Sequence, residues 1–154
     1  MPTIRFKGIP TAMADEVRAT MRAPHYGHPA HRELARGYGP CRHCLRTFNE
    51  GQEDRILFTY TPFKAGVLPL PGPVFIHADA CERYDSETLP PDLARLPMVV
   101  EGFAEDGRVL AQVAVNGEGP DAVVARVAAV EGVAGIHLRN AEAGCFMARG
   151  VIGG

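Results

Sequence analysis

The chain opens on a period of two, with Ile4 and Phe6 apolar and Thr3, Arg5 and Lys7 polar, which predicts a strand buried on one face. After Pro10 the period lengthens. Met13, Val17 and Met21 recur at four-residue intervals on one helical face, with Thr11 placed to cap the helix and Pro24 to end it. Between His25 and Pro40, the breakers Gly27, Pro29, Gly37 and Gly39 predict loop, with one helical turn around 33–36. Short apolar runs then predict strands at 45–48 and 55–60, joined as a hairpin by Asn49-Glu50-Gly51, and another at 73–77. Residues 98–103 and 109–115 flank Asp106-Gly107, a turn in which glycine tolerates positive φ. A second helix starts at Pro120, carries Val123, Val124, Val127 and Val130 as its stripe, and stops by Gly132. Two strands follow, at 135–139 and 144–148. This order predicts an α+β fold: a single domain over 1–154, mostly antiparallel sheet with two main helices. A basic Gly/Pro/His-rich loop at 24–46 and a Pro-rich insert at 62–73 interrupt it.

Composition narrows the class. The 154 residues are 46% hydrophobic and 22% charged, the mix of a water-soluble globular protein. The most apolar run, 65–76, contains Pro69, Pro71 and Pro73, so no membrane-spanning helix is expected. Residues 1–20 hold Arg5, Lys7, Asp15 and Glu16 without a continuous apolar stretch. No signal peptide is expected there, and the default compartment is the cytosol.

The net charge of −2 conceals an uneven distribution. Residues 22–46 carry a local charge of +4, from Arg22, Arg32, Arg36, Arg42 and Arg46 against Glu33. Residues 79–106 carry −6. The basic segment suggests attraction of a small anion, and arginine offers a planar fork to carboxylate or phosphate. Nucleic acid is the lesser expectation, because only Tyr26 and Tyr38 lie among these arginines and the whole chain is acidic.

The densest chemistry lies in Cys41-Arg42-His43-Cys44 and, further on, His77-Ala-Asp-Ala-Cys81. Two thiols separated by two residues can grip one metal from a tight turn, and a histidine with a further cysteine completes a tetrahedral Cys3His set. Cys41, Cys44, His77 and Cys81 are therefore the candidate ligands of a structural zinc ion. Asp79 and Glu82 have capping-box spacing, which predicts a short helix with Cys81 in its first turn. A two-Cys turn, a hairpin, then His and Cys at a helix start resembles the treble-clef zinc arrangement. The alternative is a dithiol redox centre at Cys41 and Cys44, with Arg42 and His43 favouring a thiolate. Against it, the pair is not followed by the long helix of a thioredoxin.

Other polar residues suggest a pocket. His137 and Arg139 fall on one strand face, away from Ile136 and Leu138, and with Asn140, Arg149, Arg42 and His77 they make a candidate ligand site. His25, His28 and His31 read as a solvated loop, and Cys145 as a core thiol. There is no phosphate-binding glycine loop, nucleophile elbow or His-Glu-x-x-His helix.

With these residues laid out, the chain resembles a bacterial domain-of-unknown-function family, number 1203, from about residue 40 to 149. The resemblance rests on Pro-Cys-Arg-His-Cys-Leu at 40–45, Tyr-Thr-Pro-Phe at 60–63 and Gly-Pro-Val-Phe-Ile-His at 72–77. It continues through Ala-Asp-Ala-Cys-Glu-Arg-Tyr at 78–84 and Arg-Asn-Ala-Glu-Ala-Gly-Cys-Phe at 139–146. It implies no reaction. It does imply that Cys41, Arg42, His77, Asn140, Cys145 and Arg149 gather around one cleft. The segment before Gly72 and the uncharged tail depart from the family pattern. The expectation taken forward is an uncharacterised cytosolic protein that binds a small anionic ligand, carries a structural Cys3His zinc site and touches no membrane, with a nucleic-acid-interacting module through residues 22–46 as the lesser alternative. A Cys41/Cys44 redox enzyme is the main alternative.

Overall fold

A computed structural model describes residues 3–37, 39–61 and 72–153. Nine strands and three helices follow in the order β1 (Thr3–Lys7), α1 (Thr11–Thr20), β2 (His31–Leu34), β3 (Asp54–Tyr60), β4 (Gly72–His77), β5 (Asp85–Ser86), α2 (Pro91–Ala94), β6 (Met98–Phe103), β7 (Val109–Ala114), α3 (Pro120–Ala128), β8 (Gly135–Asn140) and β9 (Phe146–Gly153). They form two antiparallel sheets, one of six strands in the order β5-β1-β9-β8-β6-β7 and one of three in the order β2-β3-β4. The fold is α+β, as the alternation of strand and helix patterns implies.

The larger sheet follows from its patterning. The β6–β7 hairpin closes where expected: Gly107 takes φ +90° and the Ala104 N–H bonds to the Arg108 carbonyl at 2.9 Å. Helix α3 lies against the sheet with Val123, Val124 and Val127 buried on Val100, Ile136, Leu138 and Met147. Each such side chain contributes about 1.5–3 kcal/mol by leaving water. A β-carbon at Gly102 would sit 2.8 Å from Val127 Cγ1, so glycine there is what admits the helix. The expected stripe is one residue too long, since α3 ends at Ala128 and Val130 is exposed.

The smaller sheet differs from expectation. Residues 45–48 do not pair with β3, which lies between β2 and β4. Leu45 adopts φ +60°, bending the chain out of the extended region and leaving a lone bridge between Pro40 and Thr47. Residues 31–34 form β2 rather than the start of a helical turn. Ion pairs of Arg32 with Asp54 and of Glu33 with Arg55 hold it along β3. Of the Pro-rich insert, residues 62–71 lie outside the described residues, and Gly72 and Pro73 begin β4. Helix α1 buries Ala14 and Val17 against Ile56, Phe58, Val74 and Ile76, forming a second core. Thr11 does not cap α1. Its N-cap is Pro10, and the Thr11 hydroxyl lies 2.9 Å from His43 Nε2 instead.

One crossing joins these parts. Between β1 and α1, the Gly8 N–H bonds to the Tyr84 carbonyl at 3.0 Å and the Ile9 N–H to the Arg42 carbonyl at 2.8 Å. A β-carbon at Gly8 would stand 2.0 Å from the His43 carbonyl oxygen, so the backbones meet at a distance only glycine allows. The 41–44 turn is thereby pinned against both β1 and the segment before β5.

Candidate metal centre

The turn that carries the first two thiols is built by backbone bonds. The Leu45 N–H bonds to the Cys41 carbonyl at 2.8 Å, and the Cys41 N–H to the Arg46 carbonyl at 2.9 Å. Beside it, Arg42 N–H reaches the Phe75 carbonyl of β4 at 2.9 Å, which sets the turn next to His77 at the strand's end. Cys81 arrives from the loop after β4. The capping-box helix expected at 79–82 does not form; this segment is irregular. Its chain is held instead by side chains that reach its sulfur and by the Arg18 Nε bond to the His77 carbonyl, 3.0 Å.

The four candidate ligands converge. The Sγ atoms of Cys41, Cys44 and Cys81 and a ring nitrogen of His77 lie within 4.8 Å of one another, and among the described residues they are the group able to hold a metal ion. Cys41 and Cys81 sulfurs are 3.8 Å apart, and Cys44 Sγ is 3.4 Å from His77 Nδ1. Cys41, Cys44 and His77 are buried, and Cys81 is half-buried.

A shell of partners surrounds this group. His77 turns its other nitrogen, Nε2, to Glu53 Oε2 at 3.2 Å, which fixes the ring and leaves Nδ1 facing the thiols. Arg18 places a guanidinium nitrogen 3.4 Å from Cys81 Sγ, and His43 Nδ1 lies 3.1 Å from the same sulfur. The Cys44 sulfur is bonded by the Arg46 backbone and side chain. The shell sets the Arg18 and Arg46 cations beside the sulfurs and the Glu53 carboxylate behind the imidazole.

The resulting electrostatics favour thiolate at Cys44. Hydrogen bonds from Cys41 and Cys81 drive the Cys44 thiol far below the usual range, against the opposing effect of burial. Cys81 is pushed up, because its bonds to the Cys41 and Cys44 sulfurs favour its proton. Burial disfavours charge on His77, yet hydrogen bonds to Cys41 and Cys44 and their charge outweigh it and push the imidazole up to about 10. His43 is lowered by burial and by the Arg18 charge, so it stays a neutral ring. A cluster that draws a proton onto His77 is one in which positive charge is wanted at the centre.

The six residues expected to form a ligand pocket have different partners, with Arg42, His137 and Arg139 all beside Phe146. His77 belongs to the Cys/His cluster. Arg42 is buried at the joint between the sheets: its Nε donates to the Phe146 carbonyl at 2.7 Å, a terminal nitrogen to the Pro40 carbonyl at 2.6 Å, and the other lies 3.2 Å from Cys145 Sγ. Burial lowers its pKa, with Cys145 acting against that shift. Asn140 closes the turn before β9, its Oδ1 accepting from the Glu142 and Ala143 N–H groups. Arg139 pairs with the buried Glu101, which also accepts from Gln112 at 2.9 Å. His137 sits between the Phe103 and Phe146 rings, and burial together with the Arg149 and Arg139 charges pushes it down to about 3. Arg149 stands beside it in register and lines a separate cavity. His25, His28 and His31 are exposed, and Cys145 is half-buried rather than in the core.

Sequence spacing therefore finds the four residues that converge, and it misses Glu53, Arg18 and the role of His43. Glu53 and Arg18 belong to no motif; the meeting of α1, β3 and the 41–44 turn brings them in. Among the described residues no helix is long and apolar enough to cross a membrane. The family whose profile matches, over residues 38–150, is described as Protein of unknown function (DUF1203). No curated protein and no solved structure matches the chain.

Proposed function

The chain belongs to this family of unknown function, and we propose that Cys41, Cys44, His77 and Cys81 hold one zinc ion as a closed, structural centre that locks the smaller sheet and helix α1 to the rest of the protein. The convergence of four soft and imidazole donors within 4.8 Å carries the reading. A tetrahedron with Zn–S bonds of about 2.3 Å has S···S edges of about 3.8 Å, and its S···N edges are about 3.5 Å. The Cys41–Cys81 and Cys44–His77 separations of 3.8 and 3.4 Å fit those edges. Three thiolates and a neutral imidazole leave the loaded site at a formal charge of −1, which Arg18 and Arg46 offset. Four protein ligands leave no open position, so the ion's role is to organise the fold.

A dithiol redox enzyme fits less well. Thiol exchange needs a sulfur that a second thiol can reach, whereas Cys41 is 0% and Cys44 4% exposed and both aim at a shared centre. The basic 22–46 segment also loses Arg42, which is spent inside the protein. We assign the cytosol as the working compartment, where thiols stay reduced and available to metal. Hydrogen exchange on the zinc-loaded chain, before and after chelation, tests the role. Chelation should release protection in the 41–47 turn and the 77–84 loop first, while β6, β7 and α3 keep theirs longer. Equal protection with and without chelator would refute a structural ion.

A further inference from the structure

Where the β1–α1 connection passes in front of the larger sheet, a cavity of about 230 Å³ opens between that connection and the side chains of Tyr60 and Phe146. Its charged lining is Lys7, Arg83 and Arg149, and no acidic side chain lines it among the described residues. Lys7 and Arg149 are direct partners across β1 and β9, so both project from the same sheet face. Arg83 is oriented from its Nε, which donates to the Gly8 carbonyl at 2.9 Å. Asp85, the register partner of Lys7 on β5, is paired with Arg5 and lies in the field of Lys7 and Arg83, but it does not line the cavity. The Tyr60 hydroxyl lies in the field of Arg149 and Arg83, and its ring meets Phe146 at a centroid distance of 5.6 Å and an angle of 45°.

Three cations around one hollow repel each other, and that arrangement is relieved by an anion between them. We propose that this cavity binds a small oxyanion, a phosphate or a carboxylate, held by Lys7, Arg83 and Arg149 with the Tyr60 hydroxyl as a further donor. Arginine forks match the paired oxygens of either group. The volume suits a compact organic phosphate or acid and is below the range of about 300–1,000 Å³ typical of sites for larger ligands. The site shares no residue with the Cys/His centre, so it stands whether or not that centre holds zinc.

The test is a titration of the zinc-loaded full chain, followed by amide NMR shifts, with inorganic phosphate in one arm and succinate in the other. Saturable shifts at Gly8, Phe146 and Arg149 are expected, and the tighter arm names the ligand class. Lys7→Met and Arg149→Met should each weaken binding about tenfold, the effect of losing one charge-assisted bond. Added salt should weaken it further. Arg108→Met, on the exposed β6–β7 turn, should leave it unchanged. If Arg149→Met does not fold, Lys7→Met at the strand end decides alone. No saturable shift in either arm, or equal weakening by Arg108→Met, would overturn the proposal.

Discussion

Replacing Arg42 by methionine should separate a structural cation from a ligand-binding one. The side chain is 2% exposed and fixes two main-chain carbonyls, of Pro40 and Phe146, at 2.6 and 2.7 Å. Methionine fills most of the volume of the stem and supplies no donor. Each buried acceptor left without a partner costs about 1–3 kcal/mol, so two cost about 4 kcal/mol. Relief of the burial of a charge offsets part of this, leaving a net loss of about 3 kcal/mol. For a chain of this size that lowers Tm by roughly 6–12 °C. Lysine keeps the charge but presents a point donor, able to serve one carbonyl at a time, and should lose about half as much. Urea denaturation at neutral pH with excess zinc measures both. A change below about 0.5 kcal/mol for Arg42→Met, the size of an ordinary surface substitution, would refute the reasoning.

Other consequences are equally direct. Glu53→Gln keeps an acceptor for the Asn49 N–H but gives His77 Nε2 a weaker partner, so zinc affinity by chelator competition should fall about 10- to 100-fold; an unchanged affinity would remove Glu53 from the site. His137 titrates near 3 in the folded chain and near 6.5 when unfolded, so between these values the unfolded chain binds the extra proton and stability falls as pH falls. Between pH 7 and 5 the native protein should therefore lose about 2 kcal/mol more stability than His137→Phe, read from paired urea midpoints; parallel losses would show that His137 titrates normally.

The sequence carried the larger sheet well, because its signals are local. A positive-φ turn at Gly107, a valine stripe after Pro120 and strict alternation around Ile136 and Leu138 each point to one element. The smaller sheet was harder to read. Leu45 has no local reason to take a left-handed conformation, and it does so because the 41–44 turn must close against β4. The segment 31–34 is polar and mostly exposed, so no hydrophobic pattern marks it as strand, and its pairing to β3 is fixed by ions further along the chain. Cysteine spacing exposed the four candidate ligands at once. The cavity basic residues Lys7, Arg83 and Arg149 are scattered over the chain, and Arg83 lies inside its most acidic stretch. The β1–β9 register sets Lys7 beside Arg149, and the bond from Arg83 to the Gly8 carbonyl adds the third.

The zinc K-edge absorption spectrum of protein purified without chelator tests the central claim most directly. A tetrahedral Cys3His centre predicts an edge step of one zinc per chain, with three sulfur neighbours at about 2.3 Å and one nitrogen at about 2.0 Å. An edge step well below one zinc per chain, or a first shell of oxygen and nitrogen without sulfur, would contradict it.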